Sequence, residues 1–290
     1  MIWRILKFIQ HLFYLRHRQG HGIHSPYLFE FVNEVLFNSR KTEVPEKICK
    51  EHGALMKERA MIPSADYGAG PALDHSVERT IRSFARKSSV SMKYGAMLFR
   101  IAGWFKPEVI LELGTGLGIS TIYLSSGYPE APMHTFEGNM ERTAFAAELV
   151  CRCGLEQVSI HWEELEQGFE DLLIQIANGA DFTGRFLAFV DANHRYEPTV
   201  KYVKSLLARR GGEAVIILDD IYRGMRRHRY SKTNKDFDLN FLCDMQSIGG
   251  RPEKGLTVAM ISPFFGDYEL YEQARCLGES TANNKQIFIL

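Results

Sequence analysis

The stretch Val109-Ile110-Leu111-Glu112-Leu113-Gly114-Thr115-Gly116-Leu117-Gly118-Ile119-Ser120-Thr121 constrains this 290-residue chain more than any other. An apolar run ends in an acid, and Gly114, Gly116 and Gly118 follow at alternate positions. A helix-compatible Ile-Ser-Thr comes next. The order is that of a buried strand, a tight turn that lets a ligand touch backbone, and a helix N-terminus aimed at that ligand.

Beyond the glycines the pattern repeats. Apolar strands are predicted near 108–113, 132–137, 157–162, 186–191 and 214–220. Helices are predicted between them, near 118–126, 140–153, 169–178 and 198–210. Near-continuous apolar strands such as Phe186-Leu187-Ala188-Phe189-Val190 read as buried on both faces, which means a parallel sheet with helices on either side. The fold class is therefore α/β, a doubly wound Rossmann-like sheet. Segments 256–261 and 286–290 predict an antiparallel pair at its C-terminal edge.

Residues 1 to about 105 read as helical. We divide the chain into a helical extension or lid, 1–90, and a ligand-binding domain, 91–290. In the first helix Ile2, Ile5, Leu6, Ile9, Leu12 and Phe13 share a face opposite Arg4, Lys7 and His11. Docking on the domain or on a second subunit of a homodimer is one reading of residues 1–18. Contact with a membrane surface is the other. Ser25-Pro26 starts a second helix with Phe29, Val32 and Leu36 inward, and the helix over 91–104 turns Met97, Leu98 and Ile101 inward. Asp66-Tyr67-Gly68-Ala69-Gly70 imitates a ligand turn, but residues 61–65 make a poor strand and Pro71 follows, so it reads as a loop over the pocket. His11, His17, His21 and His24 lie among glycines that prevent a single helical face, and read as structural or solvent-exposed.

Composition narrows the partners. The chain carries 35 basic and 35 acidic residues, a balance that disfavours a general nucleic-acid binder. Its five scattered cysteines indicate neither a zinc site nor a disulfide framework, which points to a reducing cytoplasm. No apolar stretch approaches the length of a membrane span, and the N-terminal segment lacks a small-residue cleavage site.

Glu137, twenty-three residues after Gly114, closes the second strand, where a carboxylate can accept both hydroxyls of a ribose. A dinucleotide fingerprint would demand a third glycine at the place of Ile119, and Glu112 would repel a pyrophosphate. The Glu112–Gly118 run resembles motif I of the class I S-adenosylmethionine-dependent methyltransferases. That resemblance implies S-adenosylmethionine as cofactor, bound by Glu112, Gly114, Gly116, Gly118, Ser120 and Glu137, with Tyr94 and Gly95 at the pocket edge. An NAD(P) oxidoreductase is the rival enzyme. A non-catalytic Rossmann-like module at a membrane surface is the rival from another class.

Asp191 ends the fourth strand, and Asp219 and Asp220 end the fifth. Three carboxylates in one cleft repel one another unless a cation or proton intervenes, and Mg²⁺ is the economical answer. The other reading is that they cap helices or hold turns. Residues 189–197, Gly211-Gly212 and Leu218-Asp219-Asp220 narrow the resemblance. They look like the branch of catechol-type, caffeoyl-CoA-type and metal-dependent sugar O-methyltransferases. The resemblance, covering about 90–222, implies Mg²⁺ on Asp191, Asp219 and Asp220 and methylation of a small-molecule hydroxyl. His194 stands where the catechol-type enzymes carry a lysine base, and Asn193 where the sugar enzymes carry an acid. An imidazole can take a hydroxyl proton, so His194 is the candidate base, with a loop hydrogen bond as the alternative. No Asn/Asp-Pro-Pro-Tyr/Phe motif follows the fourth strand, which disfavours methylation of nucleic-acid bases. Arg223, Arg226, Arg227, Arg229, Lys232 and Lys235 form a basic run beside the site, either a solvated face or an attractor for an anionic acceptor. The whole reading requires the glycine turn and the aspartates to share one rim of the sheet.

Overall fold

The computed structural model describes residues 30–37, 43–63, 78–162, 169, 185–192, 196–208, 213–219, 256–260 and 285–289. Its centre is a seven-stranded sheet. In chain order the strands are β3 (Val109–Leu113), β4 (Met133–Glu137), β5 (Val158–Trp162), β6 (Phe186–Val190), β7 (Ala214–Leu218), β8 (Leu256–Met260) and β9 (Lys285–Ile289). A separate antiparallel ribbon pairs β1 (Met61–Pro63) with β2 (Glu78–Thr80). The described α-helices are α1 (Glu46–Leu55), α2 (Ile81–Ser88), α3 (Met92–Phe105), α4 (Ile119–Gly127), α5 (Met140–Cys153) and α6 (Tyr196–Ala208).

Across the large sheet the order is β5-β4-β3-β6-β7-β8-β9. From β3 the chain runs outward through β4 to β5, then crosses to β6 on the other side. The order therefore reverses between β3 and β6. In an open parallel sheet that reversal opens a crevice beyond the carboxyl ends of the strands. Strands β3, β6 and β7 are buried at every position. The apolar runs thus behave as the doubly wound reading requires.

Local chemistry sets the helix ends. Ser91 caps α3 by accepting the Tyr94 N–H, and Lys106 ends it in a left-handed conformation at φ 50°. Asn139 caps α5 by accepting the Arg142 N–H at 2.9 Å, and Gly154 closes it at φ 74°. Met97, Leu98 and Ile101 of α3 are buried as expected. They join a core running from Phe31 to Ile217 that also includes Ile48, Leu55, Phe84 and Tyr123, so helices on both sides of residue 90 share one apolar interior. Within it, fully buried His52 meets the Tyr123 hydroxyl through Nδ1 at 3.0 Å.

Two expectations differ from what is found. The C-terminal edge is parallel: β8 pairs with β7, and β9 with β8, in the same direction as the rest of the sheet. Residues 261–284 are long enough for the crossover of about a dozen residues that a parallel return needs, so no hairpin was imposed. Residues 61–63 do form a strand, three residues long, with Pro63 at its end, where a missing N–H is tolerated. Near the N-terminus Phe31 and Val35 are buried, and the expected inward side chains of Phe29, Val32 and Leu36 lie outside those described. The backbone over Val32–Phe37 winds as a π-helix, with i→i+5 bonds. Residues 1–18, 66–70 and 169–178 carried expectations that lie outside the described residues, save for Phe169. Among the described residues no helix is long and apolar enough to cross a membrane.

Candidate active site

The rim is built by register. Leu113 pairs with Val190, and Val190 with Leu218, so Gly114, Asp191 and Asp219 leave three adjacent strands side by side. The ladder continues one step beyond the strands. The Asp191 N–H donates to the Leu113 carbonyl at 2.8 Å, and the Asp219 N–H donates to the Val190 carbonyl at 3.0 Å. The glycine turn and these two aspartates therefore share one rim, at the point where the strand order reverses.

Gly114 lies at φ 101°, and a Cβ there would run into the carbonyl oxygen of Asp191. This position needs glycine both for its backbone angle and for that close approach. The amides of Gly114, Thr115, Gly116 and Gly118 already have acceptors within the protein. Those of Gly114 and Thr115 donate to the Phe136 carbonyl at 3.0 Å each, and that of Gly118 to the Thr115 carbonyl at 2.8 Å. The Gly116 amide donates to Glu137 Oε2 at 2.8 Å. The glycines thus offer closeness of approach rather than open donors.

Glu137 is held from several sides. Its Oε1 accepts the Asn139 N–H at 2.9 Å and pairs with Arg142 Nη2 at 2.8 Å. Both side chains of that ion pair are almost wholly buried. Trp162, its register partner on β5, is exposed and donates its indole N–H to the Gly138 carbonyl at 3.3 Å.

Glu112 has no exposed surface. Its Oε2 accepts hydroxyl hydrogens from Thr121 at 2.5 Å and Thr135 at 2.7 Å. Thr135 uses its proton for Glu112, so in its 2.6 Å contact with Thr115 it must accept from the Thr115 hydroxyl. A hydroxyl chain thereby runs from the glycine turn to the buried acid. Burial pushes the Glu112 carboxyl up to about 7, opposed by hydrogen bonds from Ser120, Thr121 and Thr135, and the Glu137 charge pushes it further up.

On α3, Tyr94 is partly buried, and its phenol is raised above the ordinary value by burial and then by the Asp219 charge. Gly95 is occupied differently: a Cβ would strike the Tyr123 ring, so it serves the packing of α3 on α4. Ser120 is buried in the first turn of α4. Asp220, His194, Asn193 and the basic run 223–235 lie outside the described residues. Sequence reading missed Arg142, Thr135 and Thr121. A threonine two residues before the strand-ending Glu137 was the available signal for Thr135.

With this geometry in hand, known proteins can be compared. Residues 111–221 match the family model described as a methyltransferase domain, which spans the rim described above. Residues 214–290 match the model of the BREX ATP-binding protein BrxC 4th domain with six-stranded beta sheet. The O-methyltransferase TomG from Streptomyces achromogenes, involved in tomaymycin synthesis and solved with SAM, is 21% identical. It covers 76% of this chain and 84% of its own, with a TM-score of 0.49. An O-methyltransferase from Bacillus cereus solved with SAH is 18% identical over 76% of this chain and 86% of that one, also at 0.49. At that level the structural likenesses add nothing to the family assignment, which rests on sequence. The catechol O-methyltransferase of Mycobacterium tuberculosis is 32% identical over 168 residues, 57% of this chain and 71% of that protein. Identity sustained over so much of the relative removes the oxidoreductase reading, and the chain belongs to the class I S-adenosylmethionine-dependent O-methyltransferases.

Proposed function

We propose that this enzyme methylates a hydroxyl of a small-molecule acceptor with the help of a divalent cation, Mg²⁺ foremost, held by Asp191, Asp219 and Asp220. The observation that carries the reading is the register that sets Asp191 and Asp219 side by side on the rim bearing Gly114. Neighbouring strands stand about 4.8 Å apart, a spacing over which two carboxylates can share one ion. The donor set is all carboxylate, which fits a hard cation that takes oxygen ligands and not a thiolate-seeking metal. Among the described residues no group of three potential ligands forms, and Asp220, the third donor, lies outside them. A bound Mg²⁺ would acidify and orient the acceptor hydroxyl.

The chain's own residues have simpler tasks. Glu137 would accept from the ribose, Gly114 leaves room for close approach, and the carboxyl ends of β3, β6 and β7 align the two reactants. His194 would take the acceptor proton. The basic run 223–235 would draw in an acceptor that carries negative charge. The test is turnover of a panel of hydroxylated acceptors with Mg²⁺, with chelator, and with Mg²⁺ restored. Asp191→Ala and Asp219→Ala are expected to abolish metal-dependent turnover while S-adenosylhomocysteine still binds. Full activity in chelator would refute the metal role.

A further inference from the structure

Arg142 belongs to none of the motifs that carry the family resemblance, yet its guanidinium reaches the carboxylate at the centre of the cofactor site. It sits in the first turn of α5, where the helix macrodipole favours an acid and disfavours a cation. Burial of a guanidinium there weakens the fold unless it is paired. The pairing is Glu137 Oε1 at 2.8 Å, with the Phe84 ring 5.5 Å below the guanidinium carbon. Phe84 comes from α2 and also lies within 3.8 Å of where a Cβ on Gly116 would stand. The Arg142 Nε remains buried without a partner, so the side chain is placed for its contact with Glu137 rather than for full satisfaction of its own donors.

Three donors converge on Glu137: the Gly116 amide on Oε2, and the Asn139 amide with Arg142 on Oε1. The two amides alone would leave Oε1 with a single, weaker tether. We infer that Arg142 is the positioning residue that fixes the Glu137 carboxylate for recognition of a ribose hydroxyl of the cofactor. The inference rests on the reading of Glu137 as the ribose acceptor. A carboxylate has about four acceptor sites, so the three donors lock its plane and still leave capacity for a hydroxyl at the rim. Pre-setting the carboxylate removes an ordering step that binding would otherwise have to drive.

The test measures binding of S-adenosylhomocysteine, and of an analogue lacking both ribose hydroxyls, to wild type, Glu137→Ala, Arg142→Gln and Arg142→Lys by titration calorimetry. The quantity read is the ratio of the two Kd values. General damage to the fold would weaken both ligands alike and leave that ratio intact. Wild type is expected to prefer the natural ribose strongly, Arg142→Gln to lose about tenfold of that preference, and Arg142→Lys to recover part of it. If Arg142→Gln does not fold, an Arg142→Lys ratio below the wild-type value supports the inference, and an unchanged one overturns it. Loss of the preference in Glu137→Ala with full retention in Arg142→Gln overturns the role of Arg142 alone. Retention in Glu137→Ala overturns the ribose reading and this inference with it.

Discussion

Replacing Glu112 by glutamine turns the buried acid into a measurement. Burial, the largest cause, lifts its carboxyl from 4.5 to about 7. At about 1.36 kcal/mol for each pH unit, that gap is worth about 3 kcal/mol. The sign follows from which state gives up its proton first. Below pH 4.5 the carboxyl is neutral in folded and unfolded chains alike, and its contribution is fully present. Between 4.5 and about 7 the unfolded chain ionises while the folded one stays neutral, so stability falls. Above 7 the loss is complete and constant. Glutamine has no proton to lose, and its carbonyl can still accept from Thr121 and Thr135. Its amide nitrogen would stand where Oε1 is buried, at a cost of about 1–3 kcal/mol that does not vary with pH. The observable is therefore the pH dependence of the difference between the two proteins. Urea unfolding at pH steps from 4.5 to 8 should show Glu112→Gln gaining about 3 kcal/mol on wild type by pH 7, then no more. A difference that stays flat across this range would refute the account of Glu112 as a carboxyl held neutral by burial.

The remaining expectations are narrower. Gly114→Ala sets a methyl group against the Asp191 carbonyl at a positive φ, and should cost about 3–5 kcal/mol in denaturant melts together with cofactor binding; a loss under about 1 kcal/mol would show that the turn can move aside. Charge reversal at Arg226 and Arg227 should raise the KM of an anionic acceptor with little change in kcat, and an unchanged KM would reject the attraction proposed for that run.

Several elements were legible because the information is local. The helix expected over 140–153 runs Met140–Cys153, between the Asn139 cap and Gly154. The strand that leads into the glycines was readable from an apolar run broken by Leu113-Gly114, and β3 ends at Leu113. What failed was also local in origin. The edge pair was given a direction although an apolar strand segment looks the same whichever way it runs. The contact of Gly95 with Tyr123, twenty-eight residues away, is one that its neighbours in sequence do not show.

By itself the sequence determined the strand–turn–helix unit around Gly114, the alternation that makes a parallel sheet, and the acids that stand at strand ends. Backbone preference and apolar periodicity act between near neighbours, so they can be read along the chain. Only the tertiary structure decided which strand ends stand side by side, that Glu112 is sealed between Thr121 and Thr135, and that Arg142 turns back onto Glu137. Those outcomes depend on sheet register and on exclusion of water. Both are properties of the assembled core, and no short window of residues encodes either.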